Sequence, residues 1–368
     1  MNGFWRPIVC LCLFLLLDKL LFIPELRSRL TLAPDLSFDL LAEVDSVVNR
    51  QIDQNSKQEL NQNQPTNSVW IFGTSRSVAF KSIDKRPYVF ALPASVPTVY
   101  LHQYLYLRNL DRRPDIAFIE VSQFALNKNY SLRSAFLYET APNWFILKNL
   151  HSYPISYLSE WFMSLAMVGS VYPVKFYSKQ EKVLVEFLNP LNQKSENIQS
   201  KNMQSNLKSN RKSSSLTDLN EIKYRTNQEL LKAQSDIQYK KFFRSIYVDG
   251  QLKNYSIDTV AIDSLNRLIK LLMKDQVKVV LFTPPVHQSI TKLYQELEID
   301  KPFYRAIESI SKRNGVAYIP IGEDSLSCQL YKDEAHYADV CYNGIFDQII
   351  EQVNRFEKLN RMSVDDIK

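Results

Sequence analysis

The sequence predicts an α/β protein built on a parallel central sheet. Three observations predict it. Short apolar runs of strand length alternate with amphipathic stretches of helical period, the pattern of successive β-α-β units. That alternation occurs twice, on either side of a segment of different composition. The 368 residues, 45% hydrophobic and 12% aromatic, also supply enough apolar material for a sizeable core.

At the amino terminus, residues 7–23 read PIVCLCLFLLLDKLLFI, broken only by Asp18 and Lys19. A bilayer span takes about 20 residues, so this run reads as a membrane anchor in which Lys19 snorkels and Asp18 sits near an interface or pairs with it. The alternative is a cleaved signal peptide. The segment has no small-residue cleavage site, and Cys10 and Cys12 lie too early for lipidation. Charge does not orient it, because Arg6 precedes the run while Lys19, Arg27 and Arg29 follow. Residues 1–30 are therefore assigned to the anchor and its flank. Residues 31–67, ending in the polar stretch RQIDQNSKQELNQNQPTN, are assigned to a tether.

From residue 68 the expected elements are a strand at 69–72, a helix from Ser75 to about Lys85 and a strand at 88–91. A helix around 99–110 and a strand at 116–121 follow. Residues 68–188 form the first half of the domain. From about residue 128 they carry an aromatic-rich helical insertion in which 155–174 has Glu160 as its only charge. Gly169, Pro173 and the serines make that stretch a buried or interfacial cap rather than a second span. Residues 189–235 are expected to be a disordered insertion. Their stretch 189–215 is Asn, Ser, Gln and Lys without an aromatic, and it carries four of the six net positive charges. The second half, 236–357, is expected to hold a helix at 258–274, a strand at 278–282 and a helix around 293–314. A strand at 317–320 and a closing helix after Asn343 complete it, before a tail at 358–368.

A charge of +6 over this length, with no basic cluster interleaved with aromatics, gives no reason to expect nucleic acid. Only 7 Gly, and neither G-x-G-x-x-G nor G-x-x-x-x-G-K-[ST], exclude nucleotide binding by those loops. No His or Cys pair has metal-ligand spacing, so neither a metal nor another cofactor is expected.

Two motifs bear chemistry. In VWIFGTSRS an apolar strand runs into Gly73 and then into Ser75, where a helix begins. A serine there sits at the carboxyl edge of a parallel sheet, where its own N–H and the helix dipole can stabilise an oxyanion. Simple N-capping by Thr74 or Ser75 is the competing explanation. Near the carboxyl terminus, Asp333 and His336 are three apart, so one loop can present both and the carboxylate can orient an imidazole that activates a serine. The other histidines read as packing or surface residues: His102 on an amphipathic helix, His151 in the cap, and His287 at a strand end from which it could line the same cleft. Arg76 opposes the helix dipole, which points either to a surface ion pair or to an anionic substrate or acidic partner. Cys328 and Cys341 flank the Asp–His pair. They are either a disulfide bracing that loop outside the cytoplasm or free thiols inside it.

G-x-S after the first strand and D-x-x-H before the last helix resemble the SGNH (GDSL-type) hydrolase superfamily. The likeness rests on IFGTSRS at 71–77, RPDIAFIEVSQF at 113–124, VKVVLFTPPVH at 277–287 and KDEAHYADVCYNGIFDQI at 332–349. Within it the chain is most similar to a membrane-anchored bacterial branch of unassigned function, with alginate acetylation proteins and DltD-like proteins of D-alanylation as distant kin. The resemblance implies a three-layer α/β/α fold with an N-terminal transmembrane helix and a helical insertion. It also implies Ser75 as nucleophile, His336 as base and Asp333 as its orienting carboxylate. The expected activity is that of an esterase or O-acyltransferase on an envelope glycan or ester. The partners would be the cytoplasmic membrane, an envelope polysaccharide or an acyl-donor protein, with the domain facing the periplasm or exterior. The alternative is an inactive scaffold within an envelope complex. The sequence departs from that family at Thr74, where Asp is usual, and in the oxyanion blocks. There Ala94 or Ser95 would have to offer an N–H, and Ser122, Gln123 or Asn127 would replace the usual Asn.

Overall fold

The computed structural model describes residues 44–49, 68–83, 87–130, 133, 141–166, 224–323 and 326–365. All fall in one compact unit, Pro34–Ala166 with Tyr224–Lys368. The expected anchor at 7–23 and the low-complexity stretch at 189–215 lie outside the described residues. Among the described residues no helix is long and apolar enough to cross a membrane.

The chain begins with β1 (Val69–Gly73), a 3-10 helix (Ser75–Ser82), β2 (Tyr88–Ala91), α1 (Pro97–Asn109) and β3 (Ile116–Glu120). Then come α2 (Asn143–Lys148), α3 (Ile155–Ala166), β4 (Arg225–Thr226), α4 (Asn227–Ala233) and α5 (Ile237–Arg244). The second half runs α6 (Thr259–Lys274), β5 (Lys278–Thr283), α7 (Gln288–Glu296), α8 (Asp300–Asn314) and β6 (Ala317–Pro320). It closes with β7 (Leu330–Asp333), β8 (His336–Tyr337) and α9 (Tyr342–Asp365).

Five strands form one parallel sheet in the order β2-β1-β3-β5-β6. Its side chains alternate between two cores, as strand period two requires. Trp70, Phe72, Phe90, Ala117, Ile119 and Leu281 face the core that includes residues of α1, α6 and α8. Ile71, Val89, Phe118, Val280 and Phe282 face the core that includes Phe80 and, from α9, Ile345, Phe346 and Ile349. Both faces are covered, which is why the strands read as continuous apolar runs. A separate antiparallel sheet, β4-β7-β8, carries the second chemical motif.

Several expected boundaries shift for identifiable reasons. The segment after Gly73 is a 3-10 helix ending at Ser82, shorter and tighter than the α-helix expected to reach Lys85. The long helix expected near 293–314 is two helices, broken where Glu298 takes φ 53° and Ile299 precedes the second. Residues 225–233, placed in the disordered insertion by composition, are β4 and α4. Strand β4 pairs with β7, and Thr226 forms a capping box with Glu229. Within the expected tether, Val44 and Val47 lie in a helical segment buried in the main core. Helix α9 continues through Asp365 into the expected tail. In the helical cap, α3 buries Tyr157 and Trp161 while Ile155, Phe162 and Met163 stay exposed. Residues 167–174, the remainder of the stretch read as one cap, lie outside the described residues.

One ion pair ties the cap to the domain. Arg133 bonds Asp258 through Nε and through Nη2 at 2.9 Å, and also reaches Glu160 on α3 at 3.0 Å. Asp258 in turn caps α6 through Val260 N at 3.0 Å. Asp258→Ala should therefore cost about 2–4 kcal/mol, because it removes the bidentate carboxylate from a buried guanidinium that keeps Glu160, and it uncaps a helix. Urea unfolding of the variant beside wild type measures this.

Candidate active site

The strand order places the first motif. Strands β1 and β3 are neighbours, but the chain leaves β1 toward β2 on one side and leaves β3 toward β5 on the other. Ligands of open parallel sheets bind at such a reversal, outside the carboxyl ends of the strands. Ser75 follows the end of β1, and Glu120 is the last residue of β3.

Glu120 is 1% exposed and organises the turn. Its carboxylate accepts from Thr74 N at 2.8 Å, Thr74 Oγ1 at 2.6 Å and Ser77 Oγ at 2.6 Å. Thr74 is the N-cap of the 3-10 helix and also accepts from Arg76 N. The capping role raised for Thr74 or Ser75 therefore falls to Thr74, which leaves the Ser75 hydroxyl for another partner. Gly73 is required sterically, since an added Cβ would stand 2.3 Å from Ser77 Oγ and 2.8 Å from Glu120 Oε2.

That partner is His336. The Ser75 hydroxyl lies 2.8 Å from His336 Nε2, and His336 Nδ1 lies 2.8 and 2.9 Å from the two Asp333 oxygens. A sequence separation of 261 between serine and histidine is closed into one line of hydrogen bonds. Asp333 and His336 do not share a loop as expected. They face each other across the β7–β8 hairpin, with a register irregularity between Tyr331 and Asp333. A bulge of this kind re-aims a side chain locally. Burial pushes the Asp333 carboxyl up, but hydrogen bonds from the imidazole and from Ala335 N outweigh this and hold it below its usual 3.8.

The hairpin is held from several sides. Cys328 and Cys341 form a disulfide that brackets it. Tyr331 and Tyr337 pack ring to ring at 4.5 Å, and Lys332 pairs with Asp339 at 2.7 Å. Glu334 accepts from the Tyr239 hydroxyl, and its carbonyl accepts from His287 N at 3.0 Å. His287, placed by sequence as a cleft candidate, is a buried N-cap instead. Its ring meets Ser289 Oγ and Asn227 Oδ1, each at 2.7 Å, and packs on Tyr331. His102 is fully buried, and desolvation pushes its imidazole down to about 3.

The oxyanion candidates divide. Ser95 Oγ donates to Gly73 O at 2.9 Å and so buttresses the turn. Asn127 Nδ2 donates to Gln251 O and Lys253 O, tying two loops together. Ser122 is buried, and among the described residues its hydroxyl has no hydrogen-bond partner, while Gln123 lines a cleft. Ser75 opens its helix, so its own N–H lacks an intrahelical acceptor. Arg76 is not a surface ion pair: it is 1% exposed, bonds Tyr294 OH through Nη2 at 3.3 Å and lies over Phe124 at 5.2 Å. Sequence reading passed over Glu120 and Tyr294. An acid ending the apolar run IAFIE was the available signal for the first; Tyr294, inside an ordinary amphipathic stretch, had none.

A family model described as "Protein of unknown function (DUF1574)" matches residues 3–353. No curated protein matches the chain.

Gly73→Ala should destabilise the protein by about 1–3 kcal/mol, as overpacking does, and should separate Ser75 from His336. Thermal unfolding with serine labelling reads both effects. Asp333 gives a pH signature. Its folded carboxyl lies below the usual 3.8, so its stabilisation is complete above that value and is lost as pH falls through the lower folded one. The stability gap between wild type and Asp333→Asn should therefore hold steady above about pH 5 and narrow only as the pH falls below about 4 in urea titrations.

Proposed function

We propose that this chain, which belongs to the family described as protein of unknown function DUF1574, is a serine-dependent esterase or O-acyltransferase. The observation that carries this reading is the Ser75–His336–Asp333 line, with 2.8 Å from hydroxyl to imidazole and 2.8 Å from imidazole to carboxylate. Ser75 Oγ attacks the ester carbonyl while His336 Nε2 takes its proton. Asp333 holds Nδ1–H and stabilises the imidazolium. His336 returns the proton to the departing alkoxide, leaving an acyl-serine. Water, or a glycan hydroxyl activated by the same imidazole, then releases the acyl group. The developing oxyanion falls to the Ser75 N–H at the helix start. The loss of one donor from such a hole costs about 3 kcal/mol of transition-state stabilisation.

The SGNH-like reading of the domain is supported by the parallel order β2-β1-β3-β5-β6, by cores on both sheet faces, and by serine first and Asp-x-x-His last. The location we propose is the outer face of the cytoplasmic membrane, tethered by residues 7–23. The Cys328–Cys341 disulfide supports it, because such bonds persist in oxidising compartments. Envelope glycans and an acyl-donor protein are the proposed partners.

One observation favours a second reading, an inactive scaffold of an envelope complex: Ser95 and Asn127 are committed to structural hydrogen bonds. The two readings separate in one experiment. A fluorophosphonate should label wild type, fail on Ser75→Ala and label His336→Ala about 100-fold more slowly or less, the scale of general-base catalysis. Equal labelling of wild type and Ser75→Ala would leave the scaffold.

A further inference from the structure

Arg76, the residue after Ser75, lines a cleft of about 400 Å³ together with Gln123, Lys292, Tyr294, Asp300 and Glu323. Its chemistry is uneven. Arg76 is 1% exposed, yet among the described residues its Nη1 has no hydrogen-bond partner. A buried guanidinium is costly unless its donors are used. Nη2 is taken by Tyr294, and the ring of Phe124 faces the cation from 5.2 Å. The nearest acid in the turn does not use Nη1, because the Glu120 oxygens accept from Thr74 and Ser77. The carboxylates of the cleft are also engaged. Burial pushes the Asp300 carboxyl up, opposed by a hydrogen bond from Gln123, and Glu323 accepts from Tyr331. Lys292 is exposed on the same lining, so the cleft has a cation at its rim and another on its buried wall.

This wall adjoins the proposed nucleophile. Arg76 follows Ser75 directly, and the Tyr247 hydroxyl feels the charges of Asp333, Glu334 and Arg76 together. We propose that the cleft is a subsite for a singly charged anionic group, carboxylate or phosphodiester, on the molecule presented to Ser75, with Arg76 Nη1 as its anchor and Lys292 at its entrance. Two carboxylates on the same lining disfavour a dianion. Gln288, Gln295 and Tyr304 add polar groups around the charge, which fix orientation as in other ligand clefts. The proposal deepens the esterase reading, on which only the word "substrate" depends; the anion site itself does not.

The test is binding to the full-length chain, in wild type and in Ser75→Ala, at constant ionic strength. D-glucuronate and diethyl phosphate are the anionic probes, with D-glucose and triethyl phosphate as neutral counterparts. The readout is the saturable rise in unfolding temperature. At least one anion should bind while both neutral compounds fail, and Ser75→Ala should bind as wild type does. Glucuronate alone supports a carboxylate ligand, diethyl phosphate alone a phosphodiester, and both together the shared anion chemistry. Arg76→Gln should weaken binding about tenfold or more, the loss of one charge-assisted hydrogen bond. Lys292→Gln, an exposed change that leaves the core untouched, should weaken it about threefold, as an exposed charge does. Equal responses to anion and neutral counterpart, or unchanged anion binding in both variants, would overturn the proposal. Equal fluorophosphonate labelling of wild type and Ser75→Ala, with anion binding intact, would overturn only the esterase reading.

Discussion

The buried carboxylate of Glu120 is the constraint around which the site is arranged. It stands at the end of β3 and receives three hydrogen bonds from the turn that follows β1. A backbone N–H and two hydroxyls, withdrawn from water, each cost about 1–3 kcal/mol if left without an acceptor. The turn therefore has one satisfied conformation. That conformation removes Thr74 and Ser77 from the chemistry, forbids a side chain at Gly73 and leaves Ser75 as the hydroxyl turned toward His336.

A second constraint acts from the opposite end of the chain. The hairpin carrying Asp333 and His336 is short, and two-stranded ribbons are marginal by themselves. Its position comes from what surrounds it: the disulfide, the packed rings of Tyr331 and Tyr337, the added strand β4 and the bonds from Tyr239 and His287 to Glu334. Residues with chemically suggestive side chains, His287 above all, serve this support. The support is redundant, as a hydroxyl–imidazole distance held within hydrogen-bond reach demands.

Charge follows the same logic. Arg76 and Glu120 are both about 1% exposed and lie on the same turn and strand end, so each offsets the burial of the other without a direct bond. Direct pairing would consume the donors and acceptors that the turn and the cleft use separately. Among the described residues Arg76 keeps an unused N–H and lines a polar cleft, which distinguishes it from a closed structural ion pair.

The sequence by itself determined the parallel α/β class, the strands at 69–72, 88–91, 116–121, 278–282 and 317–320, and the order of the serine and Asp-x-x-His motifs. Those features are local: apolar runs, turn residues and spacing follow from the pattern of neighbouring side chains. It misread what depends on distant partners. Polar composition around 225–233 hid a strand and a capped helix because their partners are distant: β4 pairs with β7 at Leu330 and Tyr331, and Asn227 hydrogen-bonds His287, 60 residues on. The glycine signal in VWIFGTSRS was visible, but the reason for it, a carboxylate forty-seven residues on, was not. Only the tertiary structure decided which hydroxyl is free, which histidine meets it and that Arg76 is buried, because each is set by hydrogen bonds between segments that the sequence holds apart.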